Sequence, residues 1–388
     1  MVPVAALVVL LVLPTVPAGA DTLGTTNVGS NMTLTEDHDG NIVIVTDNVT
    51  LDCDGHAIKG DGVGDGINLA YRTGVTVRNC VVKGFEVGLR LQYSSDNVIE
   101  GNTANKNLKW GFIVGERSVG NVLRDNKAVL SGLDGFALFN WGTDDNQLID
   151  NEATNNTRMG FIVGTRTANT LLEGNKARNN GSDGFQAGSV GALDGATLRN
   201  NSAAGNGGNG FTLASSTPWM AANNNHLVDN TATNNGRVGF MLANAESNDL
   251  SGNTATGNAD GFAFYESARH NNLVGNRAQN NEGNGFFLGE GAVYNRLEAN
   301  VASHNGFDGI HLNNADDNTF IGNEASHNKY VGFRVFDWPP APEPSPQADG
   351  NLFESNTGCH NGELDGEDST PRGTNKWISN EFCTTLGI

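Results

Sequence analysis

Basic residues are scarce in this chain: 23 Lys and Arg stand against 43 Asp and Glu, a net charge of −20 over 388 residues. That balance excludes nucleic acid as a partner, because phosphates need a basic surface. It also disfavours anionic membranes and, unless cations bridge the charges, acidic polymers. The four cysteines form no Cys-x-x-Cys, so thiol redox chemistry lacks its motif. Long apolar runs are missing except at the start. Residues 4–13 are ten apolar residues, too few to span a bilayer, and "AGA" ending at Ala20 fits a small-residue cleavage site. This predicts a signal peptide over 1–20, with an uncleaved anchor as the alternative. The mature chain is then secreted, periplasmic or on the cell surface, and no membrane partner is expected after cleavage. An even cysteine count in an exported chain favours disulfides, and the sequence-local pairs are Cys53 with Cys80 and Cys359 with Cys383.

A helical hydrophobic period is also missing. Gly supplies 51 residues, and Gly and Asn interrupt every few positions. What stands there instead is a repeat. Glycines 66, 88, 111, 135, 160, 184, 210, 239, 261, 285, 309 and 332 recur every 22 to 29 residues, and each is followed by Phe, Ile or Leu. Nine residues before the glycine stands an Asn, as at Asn102, Asn126 and Asn300 (eight at Asn253), with Ala two residues after that Asn. A second Asn follows five residues on, as at Asn107, Asn235 and Asn305. An apolar residue precedes the first Asn by three, as at Ile99, Leu123 and Phe320. Three short strands per unit fit this pattern. Such a unit cannot bury its own inward face, so copies must stack, Phe on Phe and Asn on Asn. The predicted fold is all-β: a solenoid of about twelve rungs over 51–361, capped by 21–50 and 362–388, and monomeric.

The repeat, with the opening "NVTLDCDGHAIKGDG", resembles right-handed parallel β-helices of the pectate-lyase-like architecture. More narrowly it resembles two groups. One is the periplasmic copper-binding accessory protein of nitrous oxide reductase maturation, and the other is the mannuronan C5-epimerases. The resemblance covers residues 31–382. It implies the fold, a polysaccharide partner and, for the first group, copper. The epimerases' "YGFDPH" motif is absent; the nearest stretches are "DGFALFN" and "DGIHLNN".

Length varies only after the Gly-Phe strand, and insertions confined to one edge mark a repeat protein's binding face. Trp141, Trp219 and Trp338 lie on that edge and are candidates for stacking on sugar rings. Packing over their own loops is the plainer role. Tyr265, Glu290, His311, Arg334 and Asp337 share the edge in the last rungs. In a uronate lyase or epimerase, His311 or Tyr265 would be the base, Arg334 the neutraliser of the carboxylate, and Tyr265 or Glu290 the acid. An ordinary solvated face is the alternative. His304, His327 and His360 fall on one repeat position and form a candidate Cu²⁺ site, or a turn slot filled by chance. "DGVGDG" from Asp61 is a weak Ca²⁺ candidate and a plausible turn. The first functional reading is a non-catalytic protein binding extracellular polysaccharide along the variable edge. The alternatives are a polysaccharide lyase or C5-epimerase, and a copper-handling periplasmic accessory protein.

Overall fold

The computed structural model describes residues 23–164, 167–188, 193–215, 222–336, 348–370 and 374–388. The protein divides into two compact units, residues 1–196 with 215–220 and residues 197–214 with 221–388. Each unit is a right-handed parallel β-helix, as the resemblance implies, with no helix among the described residues.

In each unit a rung gives one short strand to each of three parallel sheets. The glycines of the repeat open the Gly-Phe sheet. In the second unit this sheet contains the strands Phe211–Ala214, Val238–Ala243, Asp260–Tyr265, Phe286–Leu288, Ile310–Asn313 and Phe333–Phe336. The Leu sheet aligns Leu227, Leu250, Leu273, Leu297 and Phe320, and the Ala sheet aligns Ala232, Ala255, Ala278, Ala302 and Ala325. The register never slips, so like lies on like. Phe211, Phe240, Phe262 and Phe286 stack with centroids 4.7–4.8 Å apart, as do Phe112, Phe136, Phe161 and Phe185 in the first unit. All eight are buried.

Gly, Ala and Asn recur together for a steric reason. A Cβ at Gly239 would lie 2.6 Å from the Gly261 carbonyl oxygen, 2.7 Å from the Ala255 Cβ and 3.0 Å from the Asn258 amide nitrogen. Glycine lets the Ala sheet and its following turn close against the Gly-Phe strand.

The asparagines form three buried ladders rather than the two the repeat predicts. The third runs through Asn97, Asn121 and Asn146 in the first unit, and through Asn225, Asn248, Asn271, Asn295, Asn318 and Asn351 in the second. Asn253 shows the ladder geometry. Its Oδ1 accepts from the Asn230 backbone N–H and amide, at 2.9 and 3.0 Å. Its own amide donates to the Leu227 carbonyl and to Asn276 Oδ1, at 2.8 and 2.9 Å. These ladder residues do not take up the left-handed turn conformation expected of Asn. That conformation belongs to the residue before each of them, such as Gly252, Asn234 or His304.

Residues 25–39 supply the outermost strand of all three sheets in the first unit, Thr25–Val28, Met32–Thr33 and His38–Asp39. Past Asn361, where the sequence period dissolves, Gly366–Asp368, Lys376–Ile378, Glu381–Phe382 and Thr385–Leu386 still keep to the sheets of the second unit. Both predicted disulfides form, with Cα–Cα distances of 4.7 Å for Cys53–Cys80 and 5.2 Å for Cys359–Cys383. Cys80 occupies an Asn-ladder slot, its N–H donating to Asn102 Oδ1 at 2.9 Å, so the first disulfide takes over where that ladder begins.

Phe240 is fully buried between two parallel rings. Phe240→Ala should therefore cost about 3–5 kcal/mol through lost contacts and a residual cavity. Denaturant unfolding measures it, and a loss below about 1 kcal/mol would contradict the stack as a core element.

Candidate functional site

Side chains alternate along a Gly-Phe strand, so the second residue after the glycine faces outward, opposite the buried Phe, and the residue before the glycine meets it there, as the 2.7 Å contact between Asp308 and His311 shows. The slot before the glycine is Asp five times: Asp65, Asp134, Asp183, Asp260 and Asp308. Three of these acids are matched by an arginine from the next rung. Asp65 pairs with Arg90 at 2.8 Å, Asp134 with Arg158 at 2.7 Å and Asp308 with Arg334 at 3.2 Å.

Around Asp308 the second unit builds a hydrogen-bonded cluster. Asp308 is buried, and its Oδ2 lies 2.7 Å from His311 Nδ1. A carboxylate only accepts, so this contact places the proton on Nδ1 and leaves the lone pair on Nε2. The Val331 N–H donates to the other carboxylate oxygen at 2.8 Å. Arg334 donates from Nη1 to Asp308, from Nε to Glu367 at 2.9 Å and from Nη2 to Glu363 at 3.3 Å. His311, Arg334 and Glu367 are in register on adjacent strands, with Phe287 one rung before His311. The Phe287 ring links the cluster to Tyr265, its centroid 5.6 Å from His311 and 5.5 Å from Tyr265.

Asp260 belongs to the same face and has no cationic side chain bonded to it. Its Oδ1 accepts from the Asn284 N–H at 2.6 Å, and Asn284 Oδ1 in turn accepts from the Asp308 N–H at 3.2 Å. Burial raises the pKa of Asp260, while the Asn284 hydrogen bonds and nearby His311 oppose the rise. Burial, with a smaller contribution from the Asp260 charge, pushes the Tyr265 phenol up to about 12. Tyr265 is therefore a hydrogen-bond donor across the physiological range. The face presents a carboxyl that resists ionisation, a phenol that stays protonated, and an imidazole oriented with a basic nitrogen.

Of the residues singled out in the sequence, the structure thus brings together Tyr265, His311 and Arg334. Glu290 is exposed after the strand Phe286–Leu288 and makes no hydrogen bond to the cluster. Asp337, Trp219 and Trp338 lie outside the described residues. Trp141 is 63% exposed, in the first unit. The sequence reading missed Asp260, Asp308, Glu363 and Glu367. The recurring Asp before Gly was the available signal, and it passes for turn chemistry.

The histidine column stacks face to face. His304 and His327 have centroids 5.0 Å apart and 4° between planes, and His327 and His360 are 5.1 Å apart. Ring-nitrogen lone pairs lie in the ring plane, and a metal sits about 2.0–2.1 Å from each. Parallel rings 5 Å apart cannot aim two such pairs at one ion. Among the described residues, the one group of three ligand-type side chains close together is Cys359, Asp365 and Cys383, whose sulfurs form the second disulfide. These residues do not fit a copper centre. At "DGVGDG", Asp65 is engaged by Arg90 and Gly62 and Gly64 are left-handed, as in a turn.

Comparison with known proteins bears on the fold. The family "Right handed beta helix region" matches residues 22–177, and "Periplasmic copper-binding protein (NosD)" matches residues 217–379. Among solved structures, the Azotobacter vinelandii mannuronan C-5 epimerase AlgE6 A-module is 18% identical, with a TM-score of 0.53 over 85% of this chain and 90% of its own. The AlgE4 A-module of the same organism is 16% identical, at 0.49 over 84% and 90%. An alginate lyase from Paenibacillus sp. is 13% identical, at 0.47 over 64% and 98%. No curated protein sequence matches the chain.

Two outcomes follow from this geometry. A carboxyl whose folded pKa is raised stabilises the fold below its unfolded pKa and loses that contribution as pH rises through the folded value. Wild type should therefore lose stability upward from about pH 4 in a way that Asp260→Asn does not. The melting-temperature difference between them should move in the variant's favour as pH rises, and a constant difference would contradict a buried, unpaired carboxyl. Cu²⁺ calorimetry on wild type and on the His304→Ala/His327→Ala/His360→Ala variant should give the same isotherm. Tighter binding by wild type would show that the column rearranges to hold metal.

Proposed function

Since the chain is a right-handed parallel β-helix protein, we propose that it acts on an exported or periplasmic polysaccharide, cleaving a glycosidic bond by acid–base catalysis. The working face is the outward side of the Gly-Phe sheet in the second unit. The observation that carries the reading is the placing of two ionisable groups on one face: Asp260, buried with no cation bonded to it, and His311, its ring held at Nδ1 by buried Asp308. A carboxyl raised by burial beside an oriented imidazole can supply an acid and a base at one site. A surface that only binds sugar needs neither.

In this reading Asp260 gives its proton to the leaving glycosidic oxygen and His311 Nε2 removes the second proton of the reaction. Asp308 is a positioning residue, fixing the His311 tautomer and ring. Tyr265 donates a hydrogen bond to the sugar, and Phe287 offers the ring on which a pyranose stacks. The disulfides support an oxidising compartment. The likeness to polysaccharide-modifying enzymes supports the fold's capacity for this work; the residues carry the chemistry.

Release of reducing ends from a polysaccharide panel tests it. On a polymer that wild type cleaves, Asp260→Asn and His311→Ala should each be slowed about 10²–10⁴-fold, the usual worth of a general acid or base. Unaltered melting would show both variants folded. Wild-type rates in both, or no cleavage of any polymer, would refute the proposal.

A further inference from the structure

We infer that the glycan cut on this face is uncharged and that water is the nucleophile; this rests on the acid–base reading above. Attack on a uronate by β-elimination or epimerisation needs a cation at the sugar carboxylate, which binds it and makes the neighbouring C–H acidic. Among the described residues, the one arginine hydrogen-bonded within the cluster is Arg334, and each of its three nitrogens is engaged. Arg334 spends Nη1 on Asp308, Nη2 on Glu363 and Nε on Glu367.

The neighbouring slots hold no substitute. In the column two residues after the glycines, successive rungs present Met241, Ala263, Phe287, His311 and Arg334, and Glu367 follows in register. Before the glycines they present Val238, Asp260, Asn284, Asp308, Val331 and, in the same column, Leu364. The segment 337–347 that follows the strand Phe333–Phe336 contains two acids and neither Lys nor Arg. With Asp260 protonated, the carboxylates Asp308, Glu363 and Glu367 still outnumber Arg334 and a protonated His311. A polymer with a carboxylate on every sugar would add like charge to a face that already has it in excess.

A neutral sugar has no acidified C–H to remove, so elimination is closed and hydrolysis remains. The C1–O bond breaks as the leaving oxygen takes the Asp260 proton. The oxygen of water bonds C1 and gives a proton to His311 Nε2. One water is consumed and two hydroxyl ends appear. Exchange with solvent then returns a proton to Asp260 and removes one from His311. Asp260 and His311 come from strands two rungs apart, about 10 Å along the stack. That leaves room for a water between sugar and base, as in glycosidases that use two well-separated groups.

The purified full chain would be given xylan, α-glucan and β-glucan, and separately polymannuronate and polygalacturonate. Each would be tested with chelator and with added Ca²⁺. Expected are reducing ends from a neutral polymer, isotopic oxygen from labelled water in the product, and no ultraviolet-absorbing unsaturated uronate. The Glu363→Gln/Glu367→Gln variant, which frees two Arg334 nitrogens, should gain at least about tenfold in affinity for oligogalacturonate. Unsaturated products, or uronates cleaved as fast as neutral glycans, would overturn the inference while Asp260→Asn and His311→Ala remained inactive. Cleavage of nothing would overturn the acid–base reading with it.

Discussion

Everything in this protein depends on a side-chain amide that finds all its hydrogen bonds one rung away. A buried Asn has two donors and a two-lone-pair acceptor to satisfy. At Asn253 each is met, by the backbone N–H and amide of Asn230 on one side and by Leu227 and Asn276 on the other. Leaving such a group unpaired in the interior costs about 1–3 kcal/mol, so a rung that slipped by one residue would incur that cost at every ladder. A coil of short strands has little else to define its register. The Phe stack rewards overlap, but an apolar column alone accepts a shifted partner more readily than an amide does.

Strict register carries over to the outside. Each outward column is a list of residues at one repeat position, about 4.8 Å apart. Sites on such a surface come from consecutive rungs in a few neighbouring columns. The Asp308–His311–Arg334–Glu367 cluster spans three rungs and two columns. Tyr265 joins it through Phe287 because Phe287 is one rung from both. The same register stacks the histidines face to face, which is why a column of three good ligands makes a poor cage.

The repeat made the inward face legible. Gly, Phe, Ala and two of the Asn positions recur because each has one neighbour set in every rung, and that uniformity is visible as a period. The third Asn ladder was hidden by position. It lies five residues before the first predicted Asn, inside what counts as the variable segment when measured from the glycine. Insertions therefore fall between the Gly-Phe strand and that Asn, a narrower edge than the sequence suggested. The outward acids were illegible for another reason. Asp before Gly reads as a turn, and only the fold shows that the slot lies within or beside a strand and faces the working side. Arg334 looked like a free cation for the same reason: Glu363 and Glu367 lie about thirty residues away, beyond the last clear repeat.

Parallel stacking also forbids a column of one charge. Two like charges a single rung apart repel by about 3 kcal/mol at an effective dielectric constant near 20, and by about half that two rungs apart. The slot before the glycines obeys this limit: Asp260, Asn284, Asp308, Val331 and Leu364 place no two acids on adjacent rungs. Neighbouring columns then supply arginines, as at Asp65, Asp134 and Asp308. Asp260 keeps that spacing yet has no arginine. Its equivalent of Arg334, two residues after the next glycine, is Phe287. An aromatic ring in the cation's slot removes the countercharge and the water together, which is the arrangement that raises a carboxyl's pKa. Stability does not explain that substitution, since Asp65, Asp134 and Asp308 are each matched by an arginine. A local rule broken at one rung, beside an oriented histidine, is where function should be sought.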